Sequence, residues 1–331
     1  MSVTENTPFE FNFILLIILH IKEKINTFMQ KILHIFHLDA RKLILYFKIL
    51  FYMPLKSGEN MKLLIITADK RQVYMSERLS EKGFDCTFYT PDLFVEGQFD
   101  GVVFALPGVK FSRINCEYDV RLENILSLVK KGGFVFSAMV DEAFLNAVKD
   151  SELINYDYYS REELVVFNAH LTAEGVLELV LVNSNVTLRN LEVLVTGYGK
   201  TGEAIADILS RNFASVTVAA RKEKDRARVI SRNMKALSFD EIKDSAEKFD
   251  FVINTVPAEV IGKNLLSRFR QNCVFLEIAS KPYGIDVTSA ENHGKKVIIA
   301  SSLPGKYVAR SAGFFIADTI TNIVKEEGIN D

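Results

Sequence analysis

From residue 61 onward, short apolar runs alternate with stretches of helical period. Residues 63–67 are an apolar run, and 70–82 place apolar side chains at helical spacing up to Gly83. Further apolar runs cover 85–89 and 101–106, the second stopped by Pro107 and Gly108. Residues 122–131 read as a helix ended by Gly132 and Gly133, 134–140 as a strand, and Asp141 as the cap of a helix reaching Lys149. Short, near-continuous apolar strands separated by helices belong to parallel sheets covered on both faces. Residues 156–161 then form a polar, tyrosine-rich connection, 164–167 a further strand, and Thr172 opens a helix to about Val182.

The second half repeats the alternation around one motif. Residues 191–196 read as a strand, Gly197-Tyr198-Gly199-Lys200-Thr201-Gly202 follows, and 203–209 read as a helix. This is Gly-x-Gly-x-x-Gly in the strand, turn and helix context that gives the motif meaning. Gly197 permits the turn, Gly199 lets the backbone approach a pyrophosphate, and Gly202 lets the helix pack close to the strand. The helix start then offers free N–H groups and a positive dipole end to phosphates. Strands at 215–220, 251–256, 274–278 and 296–300 follow, with a long apolar helix at 312–324. Their loops, among them Thr255-Val256-Pro257 and Ala279-Ser280-Lys281-Pro282, fall at the carboxyl edge where such sheets bind ligands. The predicted fold is α/β, with two Rossmann-like doubly wound parallel-sheet domains. Residues 61–170 are the N-terminal α/β substrate domain, 171–190 a connecting helix, and 191–331 the Rossmann nucleotide-binding domain.

The end of the 215–220 strand points to NADP as the cofactor. An NAD site places Asp or Glu there, about 20 residues past the motif, to bind the ribose hydroxyls. This chain has Arg221 and Lys222 instead, with Lys224 and Arg226 close by. A carboxylate would repel a 2′-phosphate, whereas a guanidinium pairs with it bidentately. The same residues, with Glu223 and Asp225, also suit a solvated helix start. The cofactor-binding set is Gly197, Tyr198, Gly199, Lys200, Thr201, Gly202, Arg221, Lys222, Thr255, Val256 and Pro257.

Composition narrows the rest. The 331 residues are 48% hydrophobic and 25% charged with a net charge of −2, so no basic field suggests nucleic acid. Cys86, Cys116 and Cys273 are scattered, which gives neither a metal site nor a disulfide framework and suits a reduced, cytoplasmic protein. Residues 1–60 differ from the remainder: they are rich in Ile, Leu and Phe and hold no glycine before Gly58. Their longest uncharged run, 11–19, is shorter than the roughly 20 residues a membrane span needs, so no stable insertion is expected. Residues 28–51 could form an amphipathic helix on a membrane surface. The simpler expectation is that the fold starts at Met61 and that 1–60 are a hydrophobic N-terminal extension or an untranslated leader.

Several stretches together resemble the family of the dipicolinate synthase A component, whose members make dipicolinic acid during sporulation. They are Asp69-Lys70-Arg71-Gln72, Asn168-Ala169-His170-Leu171-Thr172-Ala173-Glu174-Gly175, the glycine motif, Asn254-Thr255-Val256-Pro257, Ala279-Ser280-Lys281-Pro282, Asp286, Leu303-Pro304-Gly305 and Arg310-Ser311-Ala312-Gly313. The chain departs from the family pattern where Leu171 and Ala309 replace prolines and Lys281 stands where arginine is common. The resemblance implies NADP-dependent oxidation of a dihydrodipicolinate-level intermediate to the aromatic dicarboxylate, in the mother-cell cytoplasm. It also implies a partner, the flavoprotein-like B component of dipicolinate synthase, and a homo-oligomer is a further expectation. A dicarboxylate needs cationic or N–H partners: Arg71, Thr172, Lys281 and Arg310 are the substrate-binding candidates, and Glu174 and Lys281 the catalytic ones. His170 is weighed as a base, with a packed or surface histidine the favoured reading. Two alternatives stay open: another two-domain hydroxyacid or amino-acid dehydrogenase, and a non-catalytic nucleotide-binding subunit.

Overall fold

The structure is a computed structural model that describes residues 60–93, 97–110 and 113–329; expectations for residues 1–59 lie outside these. The described residues carry two parallel sheets. The first contains β1 (Lys62–Ile65), β2 (Asp85–Phe88), β3 (Phe99–Val103), β6 (Val129–Ser137) and β7 (Ile154–Asp157), in the order β2-β1-β3-β6-β7. The loop after β3 carries a small antiparallel hairpin, β4 (Val109–Lys110) with β5 (Arg113–Ile114). The second sheet contains β8 (Glu192–Thr196), β9 (Ser215–Ala219), β10 (Lys235–Leu237), β11 (Phe251–Asn254), β12 (Val274–Glu277) and β13 (Lys296–Ile299). Its order is β10-β9-β8-β11-β12-β13. That order reverses at β8, which opens the crevice of a dinucleotide-binding sheet. The expected α/β class with two doubly wound parallel sheets is therefore met.

Alternation of side chains gives each sheet two apolar faces. On the first sheet, Leu63, Ile65, Val103 and Phe136 face helix Lys70–Glu81, while Leu64, Ile66, Val102 and Val135 face helix Glu142–Asp150. Helix Lys70–Glu81 begins with a capping box: the Asp69 side chain accepts from the backbone, and Gln72 returns the bond to the cap.

Four sequence expectations need correction. Residues 164–167 are not a strand, and the connecting helix does not start at Thr172: both lie in one helix, Glu162–Val182. That helix serves two cores, with Leu164 in the first and Ala173, Val176 and Val180 in the second, and leaves His170, Glu174 and Glu178 exposed. It is also the one described helix long and apolar enough to cross a membrane. The helix expected over 122–131 stops at Leu126, because Val129 already pairs with Phe99 in β6. The expectation that residues 191–331 form a single domain fails at the C-terminus. Helix Ala309–Glu326 inserts Ile316, Ile320, Ile323 and Val324 into the first sheet's core.

Candidate functional site

The glycine motif has the predicted geometry. Gly197 has φ +91°, and its N–H donates to the Ala219 carbonyl at 2.9 Å. A Cβ on Gly202 would lie 2.3 Å from the Gly197 carbonyl oxygen, so helix Lys200–Arg211 can approach β8 only with glycine there. A Cβ on Gly199 would meet nothing within 4 Å, which leaves open space above the helix start for a ligand. Tyr198 turns inward instead: it is buried, and the Arg228 guanidinium lies 5.2 Å from its ring centroid. It therefore offers a ligand backbone only. Lys200 pairs with Glu162 on the long helix, and Thr201 is half-buried.

At the end of β9, Arg221 and Lys222 are exposed. Arg226 folds back over them, donating to the carbonyls of Ala220 at 2.8 Å and Arg221 at 3.0 Å and pairing with Glu223. The loop is thus held by these bonds to its backbone, while the Arg221 and Lys222 side chains face solvent.

The three central strands end in a row of buried polar residues that the motifs alone do not assign to the site. Thr196, Asn254 and Glu277 are in register and fully buried. The Thr196 hydroxyl donates to Asn254 Oδ1 at 2.6 Å, and Asn254 Nδ2 donates to Glu277 Oε1 at 2.7 Å. Asn254 also holds Val256 through its carbonyl at 2.9 Å and its N–H at 3.1 Å. Thr255 donates its hydroxyl to the Thr196 carbonyl at 2.7 Å, beside Gly197. Glu277 accepts from the N–H groups of Ala279, Gly284 and Ile285 at 3.0, 3.1 and 2.9 Å. Burial pushes its carboxyl above the ordinary value, against the hydrogen bonds that favour the ionised form. Asn254 is visible within a motif, whereas Glu277 looks like an ordinary strand end.

The substrate candidates are placed unequally. Lys281 is exposed in the loop after β12, with its ammonium 5.8 Å from the Tyr283 ring centroid. Arg310 is exposed on the first turn of helix Ala309–Glu326, 5.1 Å from the Phe314 ring centroid. Pro257 is exposed beside the half-buried Thr255 and Val256. Glu174 and His170 are exposed on the long helix. Thr172 is buried, and its hydroxyl donates to the Asn168 carbonyl at 2.7 Å, so it presents no donor to a ligand. Arg71 is buried and already engaged, pairing with Asp69 at 2.6 Å and donating to the Leu106 carbonyl at 2.6 Å. Gly305 packs directly on its guanidinium, where a Cβ would lie 3.0 Å from Nε. The structure thus brings Arg71 and the Leu303-Pro304-Gly305 segment together, as a buried contact that leaves no free cation. Among the described residues no cluster of His, Cys, Asp and Glu is arranged for a metal.

Comparison with known proteins accords with this architecture. The Shikimate / quinate 5-dehydrogenase family matches residues 178–298, the part that carries the glycine motif. The A component of dipicolinate synthase from Bacillus subtilis (strain 168) is 24% identical over 286 residues, covering 80% of this chain and 96% of that protein. The crystal structure of the same dipicolinate synthase component from Bacillus halodurans superposes with a TM-score of 0.73 at 22% identity, covering 80% of this chain and 97% of that one. A transhydrogenase from Sinorhizobium meliloti gives a TM-score of 0.61 at 14% identity, covering 80% and 94%. The chain is therefore similar to the A component of dipicolinate synthase over four-fifths of its length, and it has the two-domain fold of dehydrogenase-type oxidoreductases.

Proposed function

We propose that this chain is an NADP-dependent oxidoreductase subunit that converts a dihydrodipicolinate-level intermediate to dipicolinic acid, working with a second, flavoprotein-like subunit. The carrying observation is the glycine turn at the point where strand order reverses, in a chain similar throughout both sheets to the A component of dipicolinate synthase. The residues fit a dinucleotide: open space over Gly199, the N-terminus of a long helix, and two exposed cations where an NAD site would carry an acid. NADP, when bound, supplies the hydride acceptor, and formation of the aromatic ring drives the transfer.

The protein's own work is then positioning and charge neutralisation. Lys281 and Arg310 are the exposed cations proposed to meet the two substrate carboxylates. Glu174 is the proposed acceptor of the ring proton. Arg71 and Thr172 support the site's walls in this reading and do not contact substrate. The test is purified chain with enzymatically generated dihydrodipicolinate and NADP, with and without the flavoprotein-like partner, followed by the ultraviolet absorbance of the pyridine product. Product that appears with NADP supports the reading; absence of product in both mixtures, with cofactor bound, overturns it.

A further inference from the structure

A strand end inside a protein core is ordinarily apolar, because an ionised side chain loses its hydration there. β12 instead ends in Glu277, which has no exposed surface. The four groups that donate to it are neutral: the Asn254 amide and the backbone N–H groups of Ala279, Gly284 and Ile285. Three of these belong to one loop, and they grip both of its ends. Glycine at 284 is part of the arrangement, since a Cβ there would lie 2.4 Å from Asn254 Nδ2 and 2.5 Å from the Val256 carbonyl. Asn254 in turn fixes Val256 in the neighbouring loop. Two loops at the carboxyl edge are therefore tied to one buried carboxylate–amide pair.

Strand order places these loops. In a dinucleotide-binding sheet the adenosine half lies over the strands on one side of the reversal and the nicotinamide half over those on the other. Arg221 follows β9 on the first side, and the two tied loops follow β11 and β12 on the second. We infer that Glu277 is a positioning residue for the nicotinamide side of the site, holding the 279–285 loop with its Lys281 in the shape that accepts the reacting end of the cofactor and the substrate. This rests on the nucleotide reading given above. Packing alone would be served by an apolar residue of the same volume, and a surface turn would not need an acceptor this deep.

Two measurements on the full chain test it. Hydrogen–deuterium exchange compares wild type with Glu277→Gln and Glu277→Asp. Glutamine sets an N–H group against N–H donors, so exchange over 278–286 should quicken about tenfold or more, as expected for buried donors left without an acceptor, while 191–197 and 215–220 keep wild-type rates. Aspartate, a shorter carboxylate, should restore part of the protection. Titration then separates the cofactor's halves: Glu277→Gln should weaken NADPH about tenfold and leave adenosine 2′,5′-bisphosphate, which lacks the nicotinamide, at wild-type affinity. Unchanged exchange over 278–286, a uniform increase in every strand, or equal weakening of both ligands would each overturn the inference. A wild type that binds neither ligand refutes the nucleotide reading instead, and the exchange data still decide whether Glu277 holds the loop.

Discussion

In the NADP reading proposed above, Arg221 meets the 2′-phosphate: its side chain is exposed while its carbonyl is pinned by Arg226. Replacing it by aspartate should weaken NADPH by about 1–3 kcal/mol, the range of a charge-assisted hydrogen bond, and weaken NADH less. Equal affinity of the wild type for the two cofactors would refute this. Lys281 and Arg310 make a different test, because one follows β12 and the other β13, not β9, where Arg221 lies. Alanine at either should raise the substrate KM while NADPH affinity stays near wild type, and an unchanged KM in both variants would remove their assignment to the substrate carboxylates. Asp69 ties charge to stability. Burial alone would raise its carboxyl, but the hydrogen bonds and charge of Arg71 hold it below the ordinary carboxylate value. A depressed value means the pair stabilises the fold above the unfolded pKa and loses that contribution as pH falls through the folded one. Asp69→Asn should therefore cost about 2 kcal/mol at neutral pH, less than a fully buried pair because 35% of the Asp69 side chain is exposed. The difference in Tm from wild type should close below roughly pH 4, and a constant gap from neutral to acid pH would contradict the assignment.

Helix Glu162–Val182 shows both what the sequence disclosed and what it hid. Apolar runs of four or five residues mark the central strands of both sheets, and the glycine motif marks its turn, because these signals are local. Residues 164–167 are apolar too, and a short apolar run has no period of its own to separate a buried strand from part of a largely buried helix. The edge strands β7 and β10 were missed for the opposite reason: Ile154–Asp157 and Lys235–Leu237 are only partly buried, so little apolar pattern marks them. Glu277 was illegible because its role depends on donors up to eight residues away and on a neighbouring strand. The long helix also sets the position of the segment beside Arg71. A Cβ on Gly175 would lie 2.8 Å from Leu303 Cβ and 3.2 Å from Tyr307 Cδ2. Alanine there gains up to about 1 kcal/mol of helix propensity and costs about 1–3 kcal/mol in overpacking. The crowding should win, so Gly175→Ala should lower the denaturant midpoint; a raised midpoint would show that helix Leu303–Tyr307 shifts freely.

Helix Ala309–Glu326 makes the first sheet depend on the chain that follows the second sheet. It follows the last strand of the second sheet, yet its apolar face lies in the core of the first, against Met75 and Leu79 of helix Lys70–Glu81. Ile316, Ile320, Ile323 and Val324 are each at most 3% exposed. Burying such a side chain is worth about 1.5–3 kcal/mol, so these four supply about 6–12 kcal/mol, close to the whole stability of an ordinary domain. The ion pairs along the same helix, Arg161 with Glu326 and Arg78 and Lys82 with Asp318, lie near the surface and add little by comparison. Neither core cluster of the second sheet contains a residue from this helix. Removing it should therefore unfold the first sheet and spare the second. A chain ending at Val308 should bind a hydrophobic dye, lose near-ultraviolet dichroism from the tyrosines and phenylalanines of the first domain, and leave a protease-resistant fragment of the second. A chain starting at Met61 provides the opposite control, because the described compact unit begins at Asn60 and β1 at Lys62. It should keep cooperative unfolding and cofactor binding. If the chain ending at Val308 unfolds as cooperatively as the one starting at Met61, the first sheet does not depend on the C-terminal helix, and the dependence argued from its buried isoleucines is wrong.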